Sequence, residues 1–279
     1  MGKGHRGRSG QPFRVFFHSA LAVFGFFYMF PFFWMLAGSL KTPTEFFEGG
    51  ISLLPHQWVW ENYSTAWTEA KFSTYFVNSL LVTLISTLIV IALTSLAGYA
   101  LARSDFPGKH LIIGIVVVTM FLPKGYTIIP IFGLVKELGL LNTLWAVILV
   151  NAATSMVFNT FLFTGFFTTL PEELEEAATL DGARPLDVYW RIAMPLSKPM
   201  VGTVALFEFL DSWNGFFIPL IFTLGQPDLR TVAVGIYTFG SQNWPVLCAA
   251  ATMSLLPTMV LFFFLQRLFV AGLAGVIRG

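Results

Sequence analysis

The chain has 279 residues, of which 56% are hydrophobic and only 11% are charged, and its formal net charge at pH 7 is +1. Ordinary soluble domains contain about 25% charged residues, so this composition excludes a soluble globular protein and predicts an integral membrane protein. A net charge near zero also gives no reason to expect a nucleic-acid partner.

Six apolar stretches are each long enough to cross a bilayer as a helix, which takes about 20 residues. We predict an all-α polytopic membrane protein, with residues 1–279 in one transmembrane domain and spans at about 15–37, 77–102, 109–132, 143–166, 200–223 and 246–270. The first stretch is longer than the core of a signal peptide, about 7–15 residues, and is therefore expected to be retained. The third contains Pro123, Lys124, Gly125 and Pro130, so its helix is expected to end or break near one membrane face.

The distribution of basic residues predicts how these spans are oriented. Of the 16 lysines and arginines, eleven lie on the side of the N-terminus and five on the other side. Basic residues concentrate in cytoplasmic loops, so both termini and the loop 170–199 are expected in the cytoplasm. Residues 38–76 then form the first external loop.

Aromatic residues are frequent in this external loop, which contains Trp58, Trp60, Tyr63 and Trp67. Such rings suit the membrane–water boundary, where one side of the ring is apolar and the other is wet. Contact with an external partner is the alternative.

The turn at residues 102–109 follows the second predicted span and is basic, as expected for a turn at the inner face. It ends in Gly108-Lys109, but it has neither the first glycine nor the Ser or Thr of a phosphate-binding loop. A nucleotide site is therefore not expected in this chain.

The loop 170–199 is a polar segment between two apolar stretches and is predicted to form a helix–turn–helix elbow. Pro171 suits the first position of a helix, and acidic residues follow it in the first turn. Gly182 can end this helix in the left-handed conformation. Pro185 can open a second helix, which is expected to stop before Pro195.

The second helix of the elbow carries an apolar stripe at three- and four-residue steps, formed by Leu186, Tyr189, Trp190 and Ala193. The element is too short to bury this stripe alone, so the stripe is expected to be exposed and to need a partner surface. A loop that folds back on its own bundle is the alternative.

The fifth predicted span contains two carboxylates, Glu208 and Asp211, followed by Trp213-Asn214. Inserting an ionisable group into hydrocarbon costs about 2.5–3.5 kcal/mol, so both acids are expected to face protein or water. Cys248 is the single cysteine, which excludes a disulfide within the chain and a Cys-based metal site.

Several motifs carry a resemblance to a known family. Glu176-Ala177-Ala178, Asp181-Gly182-Ala183, Ile192 and Pro195 resemble the EAA loop of ABC importer membrane subunits, with Met194 where leucine is usual. Residues 102–109, 139–143, 212–220 and 270–279 resemble segments of carbohydrate-importer permeases, such as those for maltose, and the last of them is one residue short.

The resemblance implies a type I ABC importer permease, with six transmembrane helices, that moves a sugar or oligosaccharide across a prokaryotic cytoplasmic membrane. The chain itself would be non-catalytic and would bind no cofactor or metal, because ATP and Mg²⁺ would be held by a partner ATPase dimer. The other implied partners are a second homologous permease, an extracytoplasmic solute-binding protein and membrane lipid. The ATPase-coupling residues would be Glu176, Ala177, Ala178, Asp181, Gly182, Ala183, Trp190, Ile192 and Pro195.

For the fifth span, the resemblance leaves two interpretations. Glu208, Asp211, Trp213 and Asn214 would either line the pathway, with the indole stacking on a sugar, or contact the second permease. The alternatives for the whole chain are a permease for another solute and a secondary transporter, which would need acids in more than one span. A membrane enzyme is disfavoured because neither H-E-x-x-H nor G-x-S-x-G occurs.

Overall fold

The computed structural model describes residues 11–48, 52–121, 127–239 and 243–277, and every regular element within these ranges is helical. The α-helices are α1 Gln11–Gly38, α2 Pro43–Glu48, α3 Glu61–Thr68, α4 Phe72–Arg103, α5 Lys109–Met120, α6 Ile128–Glu137, α7 Leu144–Phe167, α8 Glu173–Leu180, α9 Pro185–Val188, α10 Met194–Leu196, α11 Lys198–Trp213, α12 Phe217–Phe222, α13 Val232–Phe239 and α14 Trp244–Ile277.

Among the described residues, four helical segments are long and apolar enough to cross a membrane: Phe16–Gly38, Phe72–Arg103, Leu144–Phe167 and Trp244–Phe264. The third predicted span corresponds to α5 and α6. Of the residues expected to interrupt it, 123–125 lie outside the described part, whereas Pro130 is the third residue of α6. The fifth corresponds to α11 and α12, which are separated at residues 214–216. The total of six spans therefore stays a prediction.

The break after α11 corrects the expectation of one continuous fifth helix. Pro219 has no N–H, so a helix continuing from α11 would lose a backbone hydrogen bond there. The structure instead ends α11 at Trp213, where the Asn214 side-chain amide donates to the carbonyl of Leu210 at 2.9 Å. Pro219 then lies in the first turn of α12, where proline is tolerated.

The chain forms two compact units, Met1–Ala70 with Phe239–Met253 and Lys71–Thr238 with Ser254–Gly279. In the first, the loop after α1 is built on buried polar groups. The Asn62 amide donates to the carbonyls of Ser39 and Lys41 at 2.9 Å each. The buried Lys41 ammonium donates to the carbonyl of Ser52 at 2.5 Å. Asn62 thus fixes the course of this loop.

The second unit is centred on the pair α4 and α7. The buried face of α4 is largely small and polar, and its members include Ser79, Thr83, Ser86, Thr87, Thr94, Ser95 and Gly98. Small residues let helix backbones approach closely, which is how helices associate where hydrophobicity gives no driving force. Ser86 also donates from its hydroxyl to the carbonyl of Ile148 on α7 at 3.2 Å. α4 and α7 are therefore packed backbone to backbone.

Candidate functional site

The elbow begins with α8, which carries its acids in the first turn as predicted. Its first helical residue is Glu173, two residues later than the expected start at Pro171. Gly182 follows the helix with φ +85°, and nothing lies within 4 Å of the position that its Cβ would take. The left-handed conformation predicted at Gly182 is confirmed.

The second half of the elbow differs from the prediction that its helix stops before Pro195. α9 continues through a π-helical turn, Tyr189–Ala193, directly into α10, which contains Pro195. In this turn the N–H of Met194 bonds to the carbonyl of Tyr189. Wider turns of this kind allow a helix to accommodate the missing N–H of a proline.

The predicted apolar stripe is divided between two faces, which corrects the expectation that all of it is exposed. Tyr189 and Ala193 are each 1% exposed and belong to a core cluster that includes Phe163 of α7. Leu186 and Trp190 remain 63% and 59% exposed. One face of the elbow thus folds back on the protein, and the other is left open.

The open face carries most of the predicted coupling residues. Glu176, Ala177, Asp181, Gly182, Trp190 and Pro195 are exposed, whereas Ala178, Ala183 and Ile192 are half-buried. Four exposed leucines lie on the same elbow: Leu174, Leu180, Leu186 and Leu196. Exposed apolar side chains clustered among acids are typical of a protein-binding surface.

Arg103, which sequence reasoning treated only as part of a basic turn, holds the inner side of the elbow. Its side chain is 11% exposed and its Nε lies 2.8 Å from Glu175 Oε1. Its Nη1 lies 3.3 Å from Glu172 Oε1, and its Nη2 donates to the carbonyl of Leu170 at 2.7 Å. The other oxygen of Glu175 accepts from the Tyr99 hydroxyl at 2.8 Å. The sequence contained one indication of this contact: a charged group at a buried helix end needs a partner, and Arg103 lies at the end of an apolar stretch.

Both predicted acids of the fifth stretch line a cavity of about 420 Å³ between α5, α7 and α11. Glu208 is 2% exposed, whereas Asp211 is exposed. The other lining residues are Thr119, Met120, Thr154, Ser155, Val157, Phe158, Asn159 and Phe207. Asp211 and Thr154 also line a smaller neighbouring cavity of about 220 Å³. The acids face a space edged by hydroxyls, an amide and two aromatic rings.

Trp213 and Asn214 do not line either of these cavities. Trp213 is 3% exposed, stacks on Phe209 with ring centroids 5.7 Å apart and donates from its indole to the carbonyl of Ser254 at 3.1 Å. The Asn214 amide donates to the carbonyl of Leu210 at the end of α11. The expected stacking of a sugar on the Trp213 ring is therefore not supported by the geometry, because the ring is covered by protein.

Within the described ranges, no group of three or more His, Cys, Asp or Glu side chains is placed to hold a metal ion. Cys248 is present as a free thiol.

Comparison with known proteins adds to this geometry. Residues 94–275 match the family model described as binding-protein-dependent transport system inner membrane component. The chain is 33% identical to the sulfoquinovosyl glycerol transport system permease protein SmoH of Agrobacterium fabrum, over 97% of this chain and 95% of that protein. It is 32% identical to the melibiose/raffinose/stachyose import permease protein MelC of Bacillus subtilis, over 89% and 91% respectively.

The fold is also similar to a chain of known structure. The solved chain is part of a bacterial ABC transporter involved in the import of the acidic polysaccharide alginate, and its TM-score against the present protein is 0.83. The match covers 96% of the present chain and 100% of the other at 22% identity. At that identity the similarity applies to the fold alone.

Proposed function

Because the chain belongs to the family of binding-protein-dependent transport system inner membrane components, we propose that it is the permease subunit of an ABC importer for a sugar or oligosaccharide. The observation that carries the proposal is the elbow, which presents an exposed apolar and acidic face on a firmly held base. Support for the substrate class comes from relatives named for sugar transport, such as SmoH and MelC.

An importer of this kind needs three further components: an ATPase dimer, a solute-binding protein and a second permease. This chain has no phosphate-binding loop, so energy would come from an ATPase dimer that holds ATP and Mg²⁺. A solute-binding protein would deliver the substrate outside, and a second permease, surrounded by lipid, would complete the pathway. This chain would be non-catalytic, with both termini in the cytoplasm.

The elbow is proposed to dock into the ATPase through its open face. Leu180, Leu186 and Trp190 would be buried on docking, and Glu176 and Asp181 would meet basic groups of the partner. Aromatic residues are frequent among those that dominate binding energy at protein interfaces. The left-handed turn at Gly182 sets the angle between the two halves of this face.

The cavity at Glu208 and Asp211 is proposed to form part of the substrate pathway. Carboxylates are acceptors for sugar hydroxyls, and Thr154, Ser155 and Asn159 add neutral hydrogen-bonding groups. Closure of the ATPase pair on ATP would move the elbow and open the pathway outward, and hydrolysis would reverse the movement. ATP would then bias a two-state element distant from its own site.

A backbone substitution in the elbow tests this function. Gly182→Val places a β-branched side chain at positive φ, which such residues avoid. In proteoliposomes containing the complete importer, we expect normal assembly but loss of binding-protein-stimulated ATP hydrolysis and of uptake, measured with radiolabelled raffinose and melibiose. Normal stimulation by an assembled Gly182→Val complex would remove the elbow from the mechanism.

Gly108→Val is the matched control for this experiment. Gly108 has φ +87° and, like Gly182, nothing within 4 Å of its Cβ position, so the local strain is the same in a turn outside the elbow. Uptake should survive in this variant. Uptake that persists without ATP and collapses with a protonophore would instead indicate a secondary transporter.

A further inference from the structure

α4 is held near both ends by segments distant in sequence. It has 32 residues and contains no proline, so at 1.5 Å per residue it is about 48 Å long. This length exceeds the hydrocarbon core of a bilayer, about 30 Å. Its two ends therefore reach opposite membrane faces.

At the inner end, α4 is joined to the elbow by the Arg103 and Tyr99 contacts to Glu175. A guanidinium that binds a carboxylate and a backbone carbonyl with separate nitrogens fixes direction as well as distance. One turn further along the helix, the Ser95 and Tyr189 hydroxyls lie 2.8 Å apart. Both halves of the elbow are thus bonded to the same helix.

At the outer end, α4 is joined to the segment 226–238, which lies between α12 and α14. The Asn78 amide donates to the carbonyls of Asp228 and Arg230 at 2.7 and 3.0 Å. The Ser79 hydroxyl accepts from the N–H of Val232 at 2.8 Å. These bonds fix the segment to the first turns of α4.

Between its two ends α4 is one continuous helix without proline. Sharp kinks arise at proline, at Gly/Ser pairs or where the backbone ladder is interrupted. The single glycine of α4, Gly98, lies against the backbone of α7, so it is a packing position. A displacement of the inner end would therefore be carried along the helix.

We propose that α4 transmits movement of the elbow to the segment 226–238 on the opposite face, with Arg103 and Asn78 as the positioning residues at its two ends. The inference rests on the proposed function, because it requires the elbow to be moved by the ATPase. Its consequence is reciprocal: a partner that docks outside and displaces 226–238 would alter the ATPase through the same helix.

The test measures movement at the outer end while ATP acts at the inner end. Gln226→Cys in a Cys248→Ser background, with cysteine-free partners, gives a single labelling site at a position that is exposed in this chain. Its rate of reaction with a maleimide is measured before and after trapping with ATP and vanadate. We expect trapping to change this rate severalfold, because labelling follows the population of conformations in which residue 226 is exposed.

Arg103→Ala and Asn78→Ala should each abolish this response while vanadate trapping at the ATPase continues. Arg103→Glu combined with Glu175→Arg should restore it at least in part, which a general loss of folding would not allow. An ion pair that joins neither end of α4 to its partner segment supplies the control: Lys109→Ala breaks the pair with Asp105. This variant should respond like the parent.

Three results would overturn the inference: a parent complex that traps vanadate without any change at residue 226, retention of the response in Arg103→Ala, or retention in Asn78→Ala. Gly182→Val separates this outcome from failure of the proposed function. If Gly182→Val loses stimulated ATP hydrolysis while the α4 variants keep the response, only the role of α4 is wrong. If Gly182→Val is unaffected, the elbow itself does not couple.

Discussion

Gly98 of α4 is the position where adding a single methyl group should cause the largest packing conflict with α7. A Cβ built on Gly98 would lie 2.6 Å from Phe163 Cβ and 2.9 Å from the backbone nitrogen of Thr164. Ordinary contacts between carbon atoms are about 3.5–4.0 Å, so Gly98→Ala requires the two helices to separate by about 1 Å. Backbone atoms cannot rotate away, and the helices must therefore move.

Two opposing contributions determine how much Gly98→Ala changes the free energy of unfolding. Overpacking costs typically about 1–3 kcal/mol, and the rigid neighbours at Gly98 place it near the upper value. Replacing glycine by alanine within a helix stabilises the helix by about 1 kcal/mol. The net expectation is a loss of about 2 kcal/mol in the free energy of unfolding.

Gly165→Ala is the control on the facing helix. Gly165 also lies inside a helix, but nothing is within 4 Å of its Cβ position, so only the favourable term of about 1 kcal/mol applies. SDS titration of the purified complex in mixed micelles, followed by circular dichroism, should separate the two variants by about 3 kcal/mol. Equal stability of the two would refute the close approach of α4 and α7.

Three further outcomes are expected. Trp190→Ala should weaken association with the ATPase in detergent without lowering the melting temperature of the chain, because the side chain is exposed; an unchanged association would exclude Trp190 from the interface. Asp211→Asn should leave assembly and basal ATP hydrolysis intact while uptake falls, whereas complexes that dissociate would place Asp211 at the second permease. A reporter active only in the cytoplasm should work when fused after Leu170 and be silent after Gln226, and the reverse pattern would invert the proposed topology.

Local conformational preferences made the elbow largely predictable. A glycine directly after a helix commonly ends that helix in the left-handed conformation, and Gly182 adopts the expected positive φ. The prediction that the second helix ends before Pro195 was wrong, because it assumed that proline always ends an α-helix. A π-helical turn offers another solution, and nothing in the local sequence distinguishes the two.

Tertiary contacts were the part that the sequence did not reveal. Arg103 and Glu175 are 72 positions apart, and no periodic pattern connects them. Tyr189 and Trp190 are adjacent aromatic residues in one predicted stripe, yet one is buried and the other exposed. Which of the two faces inward depends on where Ser95 and Phe163 lie, which is decided by how α4 and α7 pack.

The acids of the elbow divide by position in a way that explains how the same short helix can be held firmly and still bind a partner. Glu172 and Glu175 are three residues apart and face α4, where Arg103 binds both. Glu173 and Glu176 have the same spacing, shifted by one residue, and are exposed, as is most of the Glu172 side chain. Neutralising Glu175 would remove its contacts with Arg103 and Tyr99, whereas neutralising the outer pair, Glu173 and Glu176, would alter only what the elbow can bind. A force applied to the outer acids therefore reaches α4 through one turn of helix, and its transmission depends on Glu175 keeping its contact with Arg103.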